Sequence, residues 1–71
     1  MFQKKMIRIL VVDDHEIVRE GLRRALAHDT SFTVVGEASS RHEAIAQIAS
    51  LNPDIVVVDI HLPDEIGRAH V

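Results

Sequence analysis

Short runs of β-branched and aliphatic residues alternate along this chain with longer stretches whose apolar positions recur at helical spacing. Ile9-Leu10-Val11-Val12 and Ile55-Val56-Val57-Val58 do not alternate apolar with polar residues, so they predict strands buried on both faces, spanning about Ile7 to Val12 and Ile55 to Asp59. A further strand, Phe32 to Ala38, follows the turn-forming His28-Asp29-Thr30-Ser31. Ile17, Val18, Gly21, Leu22, Ala25 and Leu26 mark a helix from Glu16 to His28. Ala44, Ile45, Ile48, Ala49 and Leu51 mark a second, starting near Arg41 behind the capping box Ser40-Arg41-His42-Glu43. Asn52-Pro53 ends it, because the residue before proline avoids the helical region. The pattern is β-α-β-α-β.

On the polar side of the first helix lie Glu16, Arg19, Glu20, Arg23 and Arg24, with Glu20 and Arg24 at the favourable i to i+4 spacing. A solvated face accounts for these charges. Gly21 costs about 1 kcal/mol against alanine in a helix interior, a cost that close packing on the sheet would explain.

Each of the two aliphatic runs ends in acid: Asp13 and Asp14 follow the first, Asp59 the last. In an open α/β sheet, ligands bind outside the carboxyl ends of the strands, where the strand order reverses. Right-handed crossovers allow the order 2-1-3, which makes these acids neighbours; an order of 1-2-3 would part them. Three adjacent carboxylates repel unless a cation joins them, and hard oxygen ligands suit magnesium held together with phosphate. Phosphoryl chemistry is therefore the expectation. The plainer reading is that Asp13 caps the first helix, since Asp13-Asp14-His15-Glu16 also fits a capping box. His15 reads as a surface histidine, with tuning of the site by its place beside the acids as the alternative, and the five histidines show no zinc spacing.

With 71 residues the chain is short for a complete doubly wound domain. Its 46% hydrophobic content is too high for disorder. The absence of cysteine excludes disulfides and thiolate metal sites and agrees with a cytoplasmic location. A net charge of -3 gives no general attraction to nucleic acid. No stretch has the form of a signal peptide or a membrane span, so no membrane partner is expected.

Ile9-Leu10-Val11-Val12-Asp13-Asp14-His15, Val34-Val35-Gly36-Glu37-Ala38 and Pro53-Asp54-Ile55-Val56-Val57-Val58-Asp59-Ile60-His61-Leu62-Pro63, with Gly67 beyond, resemble the receiver domain of bacterial two-component response regulators. Val18-Arg19-Glu20-Gly21-Leu22 looks most like the subfamily with a helix-turn-helix DNA-binding output. The resemblance implies a truncated flavodoxin-like α/β fold with parallel strand order 2-1-3. It implies that Asp59 accepts a phosphoryl group from a sensor histidine kinase. Magnesium would be held by Asp14, Asp59 and the backbone carbonyl of His61, with Asp13 in support, often through water. On this reading the segment is a phosphoacceptor rather than an enzyme, and any self-catalysed transfer or autodephosphorylation belongs to the intact domain. DNA would be reached only through a C-terminal output domain that this sequence does not contain.

A receiver also uses a hydroxyl residue after a fourth strand and a lysine after a fifth, neither of which is present, and Lys4 and Lys5 lie at the wrong end of strand one. The segment Glu65-Ile66-Gly67-Arg68-Ala69-His70-Val71 resembles the one-frame translation of a DNA-sequencing adapter beginning AGATCGGAAGAGC. Residues 1–64 are thus expected to be the N-terminal part of a receiver, and residues 65–71 a non-native tail. The alternative function is none: an inert truncated gene fragment. A haloacid dehalogenase phosphatase would need a second aspartate where His61 stands, and a dinucleotide site would need a glycine-rich turn after strand one. The uncovered edge of strand three is expected to promote self-association.

Overall fold

A computed structural model describes residues 5–59. The backbone carbonyl of His61, Pro63, Gly67 and the tail at residues 65–71 lie outside them. Five elements succeed one another: β1 (Ile7–Val12), α1 (Glu16–Ala27), β2 (Phe32–Ala38), α2 (Arg41–Leu51) and β3 (Ile55–Val58). The strands form one parallel sheet in the order β2-β1-β3, as the resemblance implied. Helix α1 stops one residue before its expected end, with His28 as its C-cap.

Central placement explains the burial of β1, where Ile9, Leu10, Val11 and Val12 lose essentially all contact with solvent. Leu10 and Val12 join Ala38 of β2, Ala44 of α2 and Val56 of β3 in the core of one face. Successive strand residues point to opposite faces. A Cβ on Gly36 would meet Gln47 and Leu51 of α2, whereas the Glu37 side chain bonds Arg19 and Arg23 of α1. The helices therefore cover opposite faces of the sheet.

The β1–β2 ladder slips at Val35, because Ile9 faces Val34 but Leu10 faces Gly36. Such a bulge gives β2 one extra residue and re-aims the side chains beyond it. Here it sets Gly36 against α2 and Glu37 against α1.

Ser40 caps α2 as its position predicts, its hydroxyl oxygen accepting from the Glu43 N–H at 3.1 Å. The reciprocal bond lands one residue earlier than a capping box places it: Glu43 accepts from the N–H and hydroxyl of Ser39. That hydrogen bonding holds the Glu43 carboxyl below its usual range. At the other end Asn52 takes a left-handed conformation (φ 51°) and returns its N–H to the carbonyl of Ile48.

Two expectations need correction. Gly21 does not pack on the sheet, since a Cβ built there would meet nothing within 4 Å. The apolar face of α1 is also only partly used: Leu22 and Leu26 are half-buried while Ile17 remains 84% exposed. Ile17 is left uncovered, while Arg19 of the same turn reaches Glu37 of β2. Strand β3 is likewise half covered, with Ile55 and Val58 exposed.

Candidate functional site

The carboxyl ends of β1 and β3 meet because the sheet bonds continue one residue past the aliphatic runs. The Asp13 N–H donates to the carbonyl of Ala38 and the Asp59 N–H to the carbonyl of Val12, each at 3.0 Å. Asp13 and Asp59 thus leave the sheet side by side, and Asp14 comes next on the turn into α1.

Among the described residues, Asp13, Asp14, His15 and Asp59 form one group whose candidate ligand atoms all lie within 4.8 Å of one another. Asp13 is the buried member, at 4% exposure. Its Oδ1 accepts from the His15 N–H at 2.8 Å, an Asx-type turn. It does not cap α1, which corrects the capping-box reading; the N-cap is His15, whose side chain makes no capping bond. The His15 backbone bond is the main reason the Asp13 carboxyl is held below its ordinary range, with the His15 ring and Arg19 adding to it against the opposing effect of burial.

His15 is more than a bystander. Although its side chain is 64% exposed, Nδ1 lies 3.0 Å from Asp13, 2.9 Å from Asp14 and 4.0 Å from Asp59. The hydrogen bond to Asp13, together with the charges of Asp14, Asp13 and Asp59, raises its pKa above the ordinary histidine value. With the ring protonated, one positive charge faces the carboxylates. An oxygen-rich set of three carboxylates also suits a hard divalent cation. The residues present therefore fit magnesium.

A second group, unforeseen from the sequence, supports the first from behind. Arg19 is 18% exposed, donating through Nη1 to the Asp13 carbonyl at 2.7 Å and through Nε to Glu37 at 3.1 Å. Glu37 also accepts from Arg23, and these two arginines, Arg23 foremost, hold its carboxyl below the usual range. The solvated-face reading holds for Arg24, which pairs with Glu20 at 3.1 Å on the surface. It fails for Arg19, whereas Arg23, 48% exposed, stays on the surface while its guanidinium reaches Glu37. The available signal was Glu37 itself, a charge inside an otherwise apolar strand.

Residues 9–70 match the family model of the response regulator receiver domain. The chain is 47% identical over 62 residues to the DNA-binding transcriptional activator DevR/DosR of Mycobacterium tuberculosis, covering 87% of this chain and 29% of that protein. It is 47% identical over 58 residues to the response regulator GacA of Pseudomonas viridiflava, covering 82% and 27%. It thus spans less than a third of the length of these curated relatives. The response regulator domain of Thermotoga maritima CheB superimposes with a TM-score of 0.80 at 35% identity, covering 84% of this chain and 45% of that one. The signal receiver domain of the response regulator NarL from Mycobacterium tuberculosis gives 0.79 at 39% identity, covering 83% and 48%. Family match, shared topology and the position of the acids at the ends of β1 and β3 lead to one assignment: the chain belongs to the response regulator receiver domain family.

Proposed function

We propose that this chain is the phosphoacceptor segment of a two-component response regulator, in which Asp59 takes a phosphoryl group from a sensor histidine kinase. The observation that carries the reading is the convergence of Asp59 with Asp13 and Asp14 across the β1–β3 ladder. A carboxylate oxygen of Asp59 attacks phosphorus, the bond from phosphorus to the kinase histidine nitrogen breaks, and an acyl phosphate and a free imidazole result. Phosphoryl transfer depends on positioning and charge neutralisation more than on covalent assistance. Asp14 and Asp59 would hold magnesium with the His61 carbonyl, Asp13 supporting; when bound, the ion supplies the positive charge that lets carboxylate and phosphoryl oxygens approach. Asp13, fixed by the N–H of His15, keeps its negative charge in place without rearrangement.

DevR/DosR is described as a DNA-binding transcriptional activator, and a parent protein of that kind would regulate transcription through a further output segment. No helix among the described residues is long and apolar enough to cross a membrane. A cytoplasmic setting goes with the proposed role. The test is incubation with acetyl phosphate and magnesium, then mapping of hydroxylamine-labile label by mass spectrometry. Label is expected on Asp59 and absent from Asp59→Asn. Label persisting on another aspartate in that variant would remove the assignment, and no label on either would favour the inert-fragment alternative.

A further inference from the structure

Arg19 lies one turn into α1, its own N–H donating to the carbonyl of the N-cap residue His15 at 3.0 Å. A cation this near a helix N-terminus faces the positive end of the helix dipole, so the helix does not favour it there. Its guanidinium is nonetheless mostly buried and makes bonds to two other elements, the Asp13 carbonyl beyond β1 and the Glu37 carboxylate of β2. The planar fork of arginine can grip a carbonyl and a carboxylate with donors at fixed angles; a lysine ammonium cannot hold both in one plane.

The carbonyl of Asp13 and the N–H of Asp14 belong to the same rigid peptide plane. Turning that carbonyl toward Arg19 sets the direction in which the chain presents Asp14. Asp13 has independent anchors, its N–H bonded to Ala38 and its carboxylate to the His15 N–H. The Asp14 carboxylate is met by the His15 ring at 2.9 Å, a contact from an exposed side chain. Orientation of Asp14 therefore depends on the peptide plane. Glu37 fixes the other end of the Arg19 guanidinium, accepting from Nε at 3.1 Å.

We propose that Arg19 is a positioning residue for the divalent-cation site: by bridging the Asp13 carbonyl and Glu37 it holds the Asp13–Asp14 peptide so that the Asp14 carboxylate turns toward Asp59. The proposal rests on reading the acidic cluster as a magnesium site. It assigns function to a residue on the charged face of α1 that touches neither ion nor phosphoryl group.

Magnesium is titrated by calorimetry into the full chain and into Arg19→Gln, Arg19→Lys and Arg23→Gln, with thermal melting and the Asp14 amide resonance recorded for each. Removing a group that orients a ligand weakens metal affinity by about tenfold, and that loss is expected in both Arg19 variants. Arg23→Gln breaks a bond to the same Glu37 without touching the Asp13 carbonyl and should keep wild-type affinity and an unmoved Asp14 resonance. Labelling of Asp59 by acetyl phosphate should recover in the Arg19 variants at saturating magnesium. Equal affinity across all four proteins, with Arg19 and Arg23 variants losing thermal stability alike, would reduce Arg19 to a structural ion pair and overturn the proposal. Should Arg19→Gln fail to melt cooperatively, Arg19→Lys, which keeps the charge and the aliphatic stem, decides. Wild-type labelling of Asp59 with no change in affinity sinks only the Arg19 role; weakened magnesium binding without any Asp59 label sinks only the phosphoacceptor reading. A wild-type chain that binds no magnesium overturns the positioning role.

Discussion

The N–H of Asp59 donates to the carbonyl of Val12 at 3.0 Å, so the last bond of the β1–β3 ladder falls between the final aliphatic residue of one strand and the acid that ends the other. The carboxylates of Asp59 and of the Asp13-Asp14 pair are neighbours for that reason. A one-residue slip of β3 would reverse every side chain on it and carry Asp59 away from the cluster.

Magnesium affinity measures this arrangement directly. The proposed set of two carboxylates, a carbonyl and water would form an incomplete cage, so binding should be weak, and Asp14→Ala should weaken it by about tenfold or more. Calorimetric titration of both proteins gives the comparison. Equal affinity would show that Asp14 is no ligand.

Acid should erode the link between β2 and α1. The Glu37 carboxyl is held below its ordinary value of 4.5 by the hydrogen bond from Arg23 and then by Arg19. A group with a lowered folded pKa contributes stability that is present above the unfolded value and is lost as pH falls through the folded one. Urea denaturation of wild type and Glu37→Gln should thus show a gap in stability at pH 6 that narrows steadily below about pH 4.5. A gap independent of pH would mean that the charge of Glu37 contributes nothing.

Space at Gly36 is taken up by the ends of two α2 side chains and by Leu10. An added Cβ would lie 2.4 Å from Gln47 Oε1, 2.6 Å from Leu51 Cδ1 and 3.2 Å from the fully buried Leu10. Gln47 would have to give up its bond to the Glu37 carbonyl. Overpacking of this kind costs about 1–3 kcal/mol, so Gly36→Ala should destabilise within that range and Gly36→Val beyond it. Gly21→Ala should do the opposite, raising stability by up to about 1 kcal/mol, since the helix gains a better former and nothing is crowded. Thermal denaturation of the three variants reads both signs; a stabilised Gly36→Ala would show that Gln47 and Leu51 yield freely.

Strand β3 should make the chain self-associate. Ile55 and Val58 are exposed at 43% and 51%, and among the described residues the side of β3 away from β1 has no strand partner. Aliphatic edges of this kind invite pairing between chains, and a charge on the edge discourages it. Sedimentation velocity should show concentration-dependent association for wild type and less for Ile55→Lys. A wild-type chain monomeric at all concentrations would contradict this.

Most of the architecture was legible from the chain because its signals were local. The β-branched runs marked β1 and β3, Ser40 marked the start of α2, and Pro53 its end. The approach of Asp59 to Asp13 and Asp14 could be framed only as a choice between strand orders, since periodicity carries no information about which strand lies in the middle. The pairing of Arg19 and Arg23 with Glu37 was illegible for a related reason. Alone, each arginine looks like a solvated charge, and only the bulge at Val35, invisible in the residue pattern, aims Glu37 at α1. Gly21 misled in the other direction: its cost as a helix residue suggested a close contact, yet nothing lies within 4 Å of a Cβ built there.

The central place of β1 also orders events in time. Ile7 pairs with Phe32 and Ile9 with Ile55, so the strand synthesised first acquires its two neighbours only after long stretches of chain have been made. Contacts this distant in sequence are slow to close. Asp13 and Asp14 therefore exist as an isolated acid pair until β3 docks, and the cluster appears only with that pairing. An ion that binds the completed cluster and not the open chain acts as a latch on the docked strand, worth about 2.7 kcal/mol when present at a hundred times its dissociation constant. Docking of β3 and assembly of the acidic cluster are then a single event.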